Sequence, residues 1–242
     1  MKLQSITKYQ LSESKKSLLI FYGIMFTILL LTTSSFNLFG SGTAEVRGTE
    51  MASAIFIFVI GLNSFRSNFL FSQANGVSRR TQFKGFLLSI LMIAGVMAVI
   101  DTIYTNVFSA LVPYLSFFSM IYGESYLPGS APLSILIDGL LWSFFLYALF
   151  AVLGYFINLV YYRSNLFMKL IVSIVPPVFL FILLPYLAFI YPAISDGILS
   201  LINLFFGIDK TLNPYRAMVS FSLFTLLFAT GSYLLMRKAP IK

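Results

Sequence analysis

The sequence predicts an all-α membrane protein with six transmembrane helices, and three observations lead to this fold class. Of the 242 residues, 59% are hydrophobic and only 10% are charged, whereas soluble domains carry about 25% charged residues. Apolar runs long enough to cross a bilayer, which takes about 20 residues, occur six times. The few charges lie mostly between these runs. We therefore expect residues 1–242 to form a single transmembrane domain.

The six predicted spans follow one another with short polar connections. They cover residues 18–38, 51–71, 86–110, 133–162, 170–191 and 217–236. Arg66 lies near the end of the second span, where a long side chain can reach the interface. Asp101 lies in the third span, and Asp138 lies near the start of the fourth. With six spans, both termini lie on the same side of the membrane.

Two further segments are apolar on one side without being long enough to span. Residues 1–16 place Leu3, Ile6 and Tyr9 on one helical side among lysines, which predicts an interfacial helix before the first span. Residues 198–206 are too short to cross a bilayer and too apolar for an exposed loop. They predict a re-entrant or interfacial outer segment before the last span.

The basic residues are concentrated on one predicted side of the membrane. Thirteen of the sixteen lie there: Lys2, Lys8, Lys15, Lys16, Arg66, Arg79, Arg80, Lys84, Arg163, Lys169, Arg237, Lys238 and Lys242. The other side holds three basic residues and seven of the eight acids. The positive-inside rule then predicts a multi-pass protein of the plasma membrane with both termini cytoplasmic. The net charge of +8 thus reflects topology and contact with anionic membrane lipids, not nucleic-acid binding.

The absence of two residue types excludes several kinds of chemistry. The sequence contains no Cys and no His, so it has no thiolate nucleophile, disulfide, histidine base or histidine metal ligand. The acids are widely spaced and form no recognisable catalytic pair. We expect no catalytic residue, no metal site and no cofactor in this chain, and hence no enzyme.

The segment between spans two and three is the most distinctive part of the sequence. Asn75-Gly76 is a turn signal, and Ser78 is expected to cap a short helix that carries Arg79 and Arg80 outward. Such a helix at a membrane face would suit a cytoplasmic partner. A basic inner loop that merely obeys the positive-inside rule is the alternative interpretation.

The run from Asn75 to Thr81 resembles the cytoplasmic coupling segment of type 2 ABC exporter permeases of Gram-positive bacteria. The layout of six spans, N-terminal interfacial helix and re-entrant hairpin before the last span is also similar to that family. The resemblance implies that an ATP-binding subunit docks on nine residues: Ala74, Asn75, Gly76, Val77, Ser78, Arg79, Arg80, Thr81 and Gln82. It also implies a second permease chain, identical or homologous, and export of a hydrophobic or amphipathic cargo such as a peptide toxin, bacteriocin or lipid-like compound.

The energy for such transport would come from the partner, because none of the fifteen glycines is followed by lysine as a P-loop requires. ATP and Mg²⁺ are therefore expected on the ATP-binding subunit. Pro176, Pro177 and Pro185 in span five predict bending points for the motion, since proline removes a backbone hydrogen bond. A static kink that only aids packing is the alternative.

Four polar residues within the first two spans are candidates for a translocation path: Thr27, Ser34, Asn63 and Ser64. Hydroxyl and amide side chains in membrane helices also bond their own backbone or a neighbouring helix. That structural role is the alternative for each of them.

Two other kinds of transporter remain open. A secondary transporter would use Asp101 and Asp138, but both are predicted near the outer interface, solvated or paired with Arg216, and not as a proton or ion relay. A substrate-binding subunit of an energy-coupling vitamin transporter would need an alanine-rich stripe in the first span. Residues 18–38 contain no alanine, which disfavours that class.

Overall fold

The computed structural model describes residues 3–39, 46–123, 132–208 and 212–240, without the side chains of residues 35–39 and 132. The helices in this part of the chain are α1 Leu3–Phe39, α2 Thr49–Asn63, α3 Arg66–Ala74, α4 Arg79–Ser109, α5 Phe117–Tyr122, α6 Pro132–Arg163, α7 Leu166–Val178, α8 Leu184–Ile190, α9 Pro192–Phe206 and α10 Pro214–Arg237. Phe179–Leu183 is π-helical and joins α7 to α8. Two short strands, β1 Val46–Arg47 and β2 Tyr114–Leu115, pair in parallel.

Six helical stretches are long and apolar enough to cross a membrane. They are α1, α2 continued by α3, α4, α6, α7 continued through α8, and α10. The predicted all-α class and the number of apolar spans are thus confirmed. The end of the bundle where α4 begins and α10 ends is called the basic end below, and the opposite end, where β1 and β2 pair, is called the acidic end.

The first helix packs along α4 in parallel. Ile6 lies so close to Gly85 that a β-carbon there would come within 2.8 Å of Ile6 Cγ2, and Ser89 Oγ donates a hydrogen bond to Gln10 Oε1 at 2.9 Å. Ile6 and Gln10 are both buried by this contact. Residues 3–16 therefore form the first turns of one continuous helix, and the separate interfacial helix is not confirmed.

The apolar parts of α1 and α4 are offset along the bundle axis. Lys15 and Leu18 line an open apolar groove of about 720 Å³ together with Val96. Val96 lies ten residues after Phe86, where the third predicted span begins, or about 15 Å along the helix. The charged part of α1 is thus beside the apolar part of α4.

The second span and α6 pack backbone against backbone. A β-carbon at Gly61 would lie 2.1 Å from the Ala151 carbonyl oxygen, and one at Gly154 would lie 2.2 Å from the Phe58 carbonyl oxygen. Small residues at helix interfaces allow this approach in membrane proteins. The Asn158 amide also donates a hydrogen bond across the interface to the Leu62 carbonyl. These contacts make α2 and α6 the tightest pair of the bundle.

Aromatic side chains from α4, α6 and α10 fill the core. Tyr155 is buried and stacks on Phe86 with ring centroids 3.7 Å apart. Nearer the acidic end, Trp142 is fully buried and meets Phe118 and Phe221 edge-on. The core therefore runs the length of α6, which is the central helix of the bundle.

The fifth predicted span stands apart from this core. None of the described residues of α7 and α8 is buried, although Tyr161 and Ser173 share a hydrogen bond near the basic end. Pro176 and Pro177 lie inside α7, and the π-helical stretch that follows ends just before Pro185. Proline cannot donate the backbone hydrogen bond that α-helical geometry needs. The irregular geometry of this span lies among these prolines.

Two short strands and helix α9 lie at the acidic end. Val46 pairs with Tyr114 and Arg47 pairs with Leu115, so the segments before α2 and after α4 lie side by side. Helix α9 packs on α10, where Phe205 and Phe206 contact Phe221. Its fifteen residues are too few to span, but its re-entrant placement is not confirmed.

Candidate functional site

The predicted docking segment is a tight turn between two helices at the basic end. Helix α3 ends at Ala74, and Gly76 adopts a φ of +67° that side-chain-bearing residues rarely adopt. The Val77 N–H then donates to the Ser72 carbonyl at 2.9 Å, and Val77 is buried. The chain thus reverses direction within three residues, and the tip of the turn projects from the bundle.

The turn is followed directly by a long helix. Ser78 caps α4, because its Oγ accepts a hydrogen bond from the Thr81 N–H at 3.2 Å. The cap was predicted, but the short helix expected after it was wrong. The short helix, α3, precedes the turn, because span two breaks at Ser64 and Phe65.

The two neighbouring arginines of the turn have different environments. The Arg79 guanidinium donates to the Arg237 carbonyl at 2.7 Å and lies over the Phe69 ring, 5.7 Å from its centroid. A cation at this place complements the negative end of the α10 dipole. Arg80 is exposed. The expectation that both arginines point outward is therefore wrong for Arg79, which binds the end of α10.

The nine predicted docking residues divide by exposure. Ala74, Asn75, Gly76, Ser78 and Arg80 are exposed, Arg79 and Thr81 are half-buried, and Val77 and Gln82 are buried. The five exposed residues can meet a partner without rearrangement. We call these five residues the turn surface.

The first residues of α1 contact α3, the helix that precedes the docking turn. Tyr9 stacks on Phe71 of α3, with ring centroids 4.6 Å apart and the planes inclined by 12°. Phe69 of the same helix is fully buried and stacks on Phe65. The turn surface is thus connected to α1 through α3, to α4 by continuity and to α10 through Arg79.

A polar cavity lies beside α1 in the half of the bundle nearer the basic end. It has a volume of about 220 Å³, and its polar lining residues are Gln10, Glu13, Ser14, Ser17, Asn63, Ser64, Asn68 and Ser89. Asn68 is buried, and its Oδ1 has no hydrogen-bond partner among the described residues. We call it the Asn68 cavity.

Two of the four predicted path residues line this cavity. Asn63 and Ser64 line it, whereas Thr27 and Ser34 do not. Thr27 is exposed and its hydroxyl donates to the Gly23 carbonyl of its own helix at 2.9 Å. Ser34 is exposed as well.

A second polar cavity of about 120 Å³ lies nearer the acidic end, between α2, α4, α5 and α6. Glu50 and Asp101 line it, and they are 4% and 6% exposed. We call it the Glu50–Asp101 cavity. Along α2 it is separated from the Asn68 cavity by the buried Ala54, and along α4 by the buried Met97.

The environment of Asp101 differs from the one expected. Its carboxylate is inside the bundle and accepts a hydrogen bond from the Tyr147 hydroxyl, so the predicted solvated position is wrong. Asp138 is on α6 next to the lining residue Gly139 but is not itself part of the lining, and it accepts a hydrogen bond from the Tyr215 hydroxyl at 2.9 Å. The two acids are thus in separate environments.

Sequence reasoning missed Glu50 as part of this site. It is one of the seven acids predicted on the outer side, but its Oε2 accepts a hydrogen bond from the Phe117 N–H at 3.0 Å. Nearby in β2, burial and the Glu50 charge together raise the pKa of Tyr114 to about 12, so this hydroxyl is neutral and shares a hydrogen bond with Thr49. Because Glu50 directly precedes the second predicted span, nothing in the sequence indicates that it is buried.

Comparisons with known proteins do not assign the chain to a family. No family model, no curated protein and no solved structure matches the chain. In the described part of the chain, no group of three or more Asp and Glu side chains comes close enough to hold a metal ion.

Proposed function

We propose that this chain is the transmembrane permease subunit of an ATP-driven exporter in the plasma membrane, with both termini cytoplasmic. An ATP-binding subunit docks on the turn surface, and a second permease chain, identical or homologous, completes the translocation path. The cargo is hydrophobic or amphipathic. This function accords with the resemblance of the turn to ABC exporter coupling segments.

The observation that carries the proposal is the mechanical connection of the turn. Its exposed tip leads directly into the capped start of α4, and Arg79 bonds the last carbonyl of α10. A partner that pushed on Asn75, Gly76 and Arg80 would therefore displace two spans together. Rocking of spans between two states is how transporters alternate access.

Two further features accord with this function. The Asn68 cavity and the Glu50–Asp101 cavity lie along the same helices, α2 and α4, and between them the bundle is closed by Ala54 and Met97. Opening this constriction would join the cavities into a path. In the same proposal, the first turns of α1 lie at the inner interface and α9 enters the outer leaflet without crossing it.

Copurification tests the docking surface. The chain is coexpressed with ATPases encoded beside it, and the amount of ATPase recovered is measured for wild type, Gly76→Asp and Arg80→Glu. We expect each variant to weaken binding about tenfold, which corresponds to about 1.4 kcal/mol. Lys169→Glu is the matched control, because Lys169 is an exposed basic residue of α7 outside the turn surface. Equal recovery with all four proteins would contradict the docking proposal.

The burial of Asp101 favours a second candidate function. A secondary transporter couples transport to an ion, and acids inside a membrane bundle commonly mark such pathways. Asp101 meets this condition, whereas Asp138 bonds Tyr215 outside the cavity lining. Transport by proteoliposomes that contain only this chain, driven by an ion gradient without nucleotide, would establish this candidate. Strict dependence on ATP and a partner would eliminate it.

A further inference from the structure

The polar wall of the Asn68 cavity is rich in hydrogen-bond acceptors. Asn63, Ser64 and Asn68 each donate a side-chain hydrogen bond to the backbone carbonyl four residues earlier, at 2.5–2.9 Å. Across the cavity, the Ser14 hydroxyl of α1 does the same at 3.2 Å. These bonds use hydrogen atoms of the side chains, whereas the oxygen atoms of the same side chains keep lone pairs for a ligand.

One of these oxygens is buried and unsatisfied. Asn68 is 4% exposed and lines the cavity, and its Oδ1 has no hydrogen-bond partner among the described residues. Gln10, which is buried to a similar degree on α1, differs because its Oε1 accepts a hydrogen bond from Ser89 at 2.9 Å. Buried polar atoms are normally bonded. A ligand that donates a hydrogen bond in the cavity would satisfy Asn68.

The cavity also contains a carboxylate with no basic side chain in the same lining. Glu13 lines the cavity and is exposed, so it lies at the opening. Of the described residues around the cavity, none is Lys or Arg. Lys15 lines the separate apolar groove between α1 and α4, and Lys16 is exposed outside the lining. A positively charged ligand would therefore meet a negative charge and no competing cation.

The position of the cavity and the rest of its lining suit an amphiphile. Ser89 lies three residues after Phe86, where the third predicted span begins, or about 5 Å along the helix. The cavity is thus at the level where lipid head groups meet the hydrocarbon. The remaining lining residues are apolar: Phe56, Val59, Ile60, Phe86, Ile90 and Ile93. A polar group with an attached alkyl chain can use both parts of this lining.

We infer that the Asn68 cavity binds the primary ammonium group of an amphiphile, with Asn68 Oδ1 as hydrogen-bond acceptor and Glu13 as counter-charge. An alkylammonium group has three N–H donors and no acceptor, which matches this lining. A quaternary ammonium group has the same charge but no N–H for Asn68. The inference deepens the proposed function, on which it rests only for the role of the amphiphile as cargo.

The test is thermal unfolding of the full chain in micelles of an uncharged detergent at pH 7 and constant NaCl. The micelles contain increasing mole fractions of dodecylammonium or, as the matched probe, dodecyltrimethylammonium. We expect a saturable rise in Tm of about 3 °C with dodecylammonium. The quaternary probe should need an about fivefold higher mole fraction for the same rise, because it cannot donate to Asn68.

Variants locate the effect in the cavity. Glu13→Gln should raise the half-saturating fraction of both probes about fivefold, and Asn68→Leu should make the two probes equal. Asp196→Asn is the matched control, an exposed acid of α9 outside the lining, and should behave as wild type. Glu13 is exposed, so its variant keeps the test decisive if Asn68→Leu fails to fold. Equal binding of the two probes to wild type, or an unchanged response in Glu13→Gln, would overturn the site.

A second arm identifies the source of the ammonium group. Phosphatidylethanolamine and phosphatidylcholine replace the two probes, since they differ in the same way. A preference for phosphatidylethanolamine would support the site and assign its ligand to the membrane, whereas a preference confined to dodecylammonium would support the site and assign it to a single-chain cargo. Neither arm needs the ATPase, so this site and the docking surface can fail separately.

Discussion

Arg79 and Arg80 illustrate how the position of a residue on a helix determines its environment. Both are basic residues in the first turn of α4, yet successive side chains on a helix point about 100° apart. This rotation directs Arg79 to the end of α10 and over Phe69, while Arg80 remains exposed. The sequence shows both charges, but it does not show that the end of α10 lies next to one of them.

We expect Arg79→Ala to destabilise the protein by about 1–2 kcal/mol, because it removes a cation from the α10 C-terminus and a charged hydrogen bond. Arg80→Ala should change the free energy of unfolding by less than about 0.5 kcal/mol. Chemical denaturation in detergent measures both values. Equal losses for the two variants would mean that the Arg79 contact contributes nothing specific.

Asp101 shows that the environment of a residue cannot be predicted from its own helix alone. Its place in the third span is evident from the sequence, but its burial is not, because distance along one helix does not show what lies opposite. The structure buries it because Tyr147 of α6 lies opposite and donates to it. The partner is 46 residues away in the chain, and no local pattern connects the two.

At the scale of elements, the contact of α2 with α6 depends on two glycines. Gly61 and Gly154 bring the helix backbones together, and no other side chain would fit without separating the helices. Gly23 of α1 differs, since a β-carbon there would meet nothing within 4 Å. Glycine is thus required for helix packing at Gly61 and is not required at Gly23.

Gly61→Ala should destabilise the protein by about 1–3 kcal/mol, because its methyl group would overlap the Ala151 carbonyl and force the helices apart. Gly23→Ala should stabilise α1 by a few tenths to about 1 kcal/mol, since alanine favours helix. Thermal unfolding of the two variants in the same detergent measures the difference. A Gly61→Ala protein as stable as wild type would show that α2 and α6 do not pack this closely.

Helix ends and breaks were harder to predict than the helices themselves. Hydropathy predicts both ends of α6 and of α10 to within three residues, whereas α4 begins seven residues before the predicted span. It did not show that α1 continues unbroken from Leu3, or that the second span breaks at Ser64 and Phe65. Those features depend on what α1 and α3 pack against, such as the Tyr9–Phe71 stack.

At the scale of the whole molecule, the uneven distribution of charge predicts its orientation. Most basic residues belong to the end where α4 begins and α10 ends, and this end should face the cytoplasm. The structure adds exposed positions at each end that can report on the prediction. Arg80 is exposed at the basic end and Met120 at the acidic end, whereas Ile57 is fully buried.

The absence of cysteine from the sequence allows a direct test of orientation. In intact cells, a membrane-impermeant maleimide should label Met120→Cys and not Arg80→Cys. Arg80→Cys should react only after permeabilisation, and Ile57→Cys only after denaturation. Labelling of Arg80→Cys in intact cells would place the basic end outside and would remove the basis for a cytoplasmic docking surface.

The offset between α1 and α4 has a consequence for the surrounding lipid. Lys15 lines a groove with Met92 and Val96, which lie about 9–15 Å beyond the residue where the third predicted span begins. An ammonium group stays at the level of the lipid head groups, so a membrane meeting this side of the protein must thin, or the protein must tilt, to keep Lys15 hydrated. The bilayer around this chain is therefore expected to be uneven in thickness, thinnest along the outer face of α1.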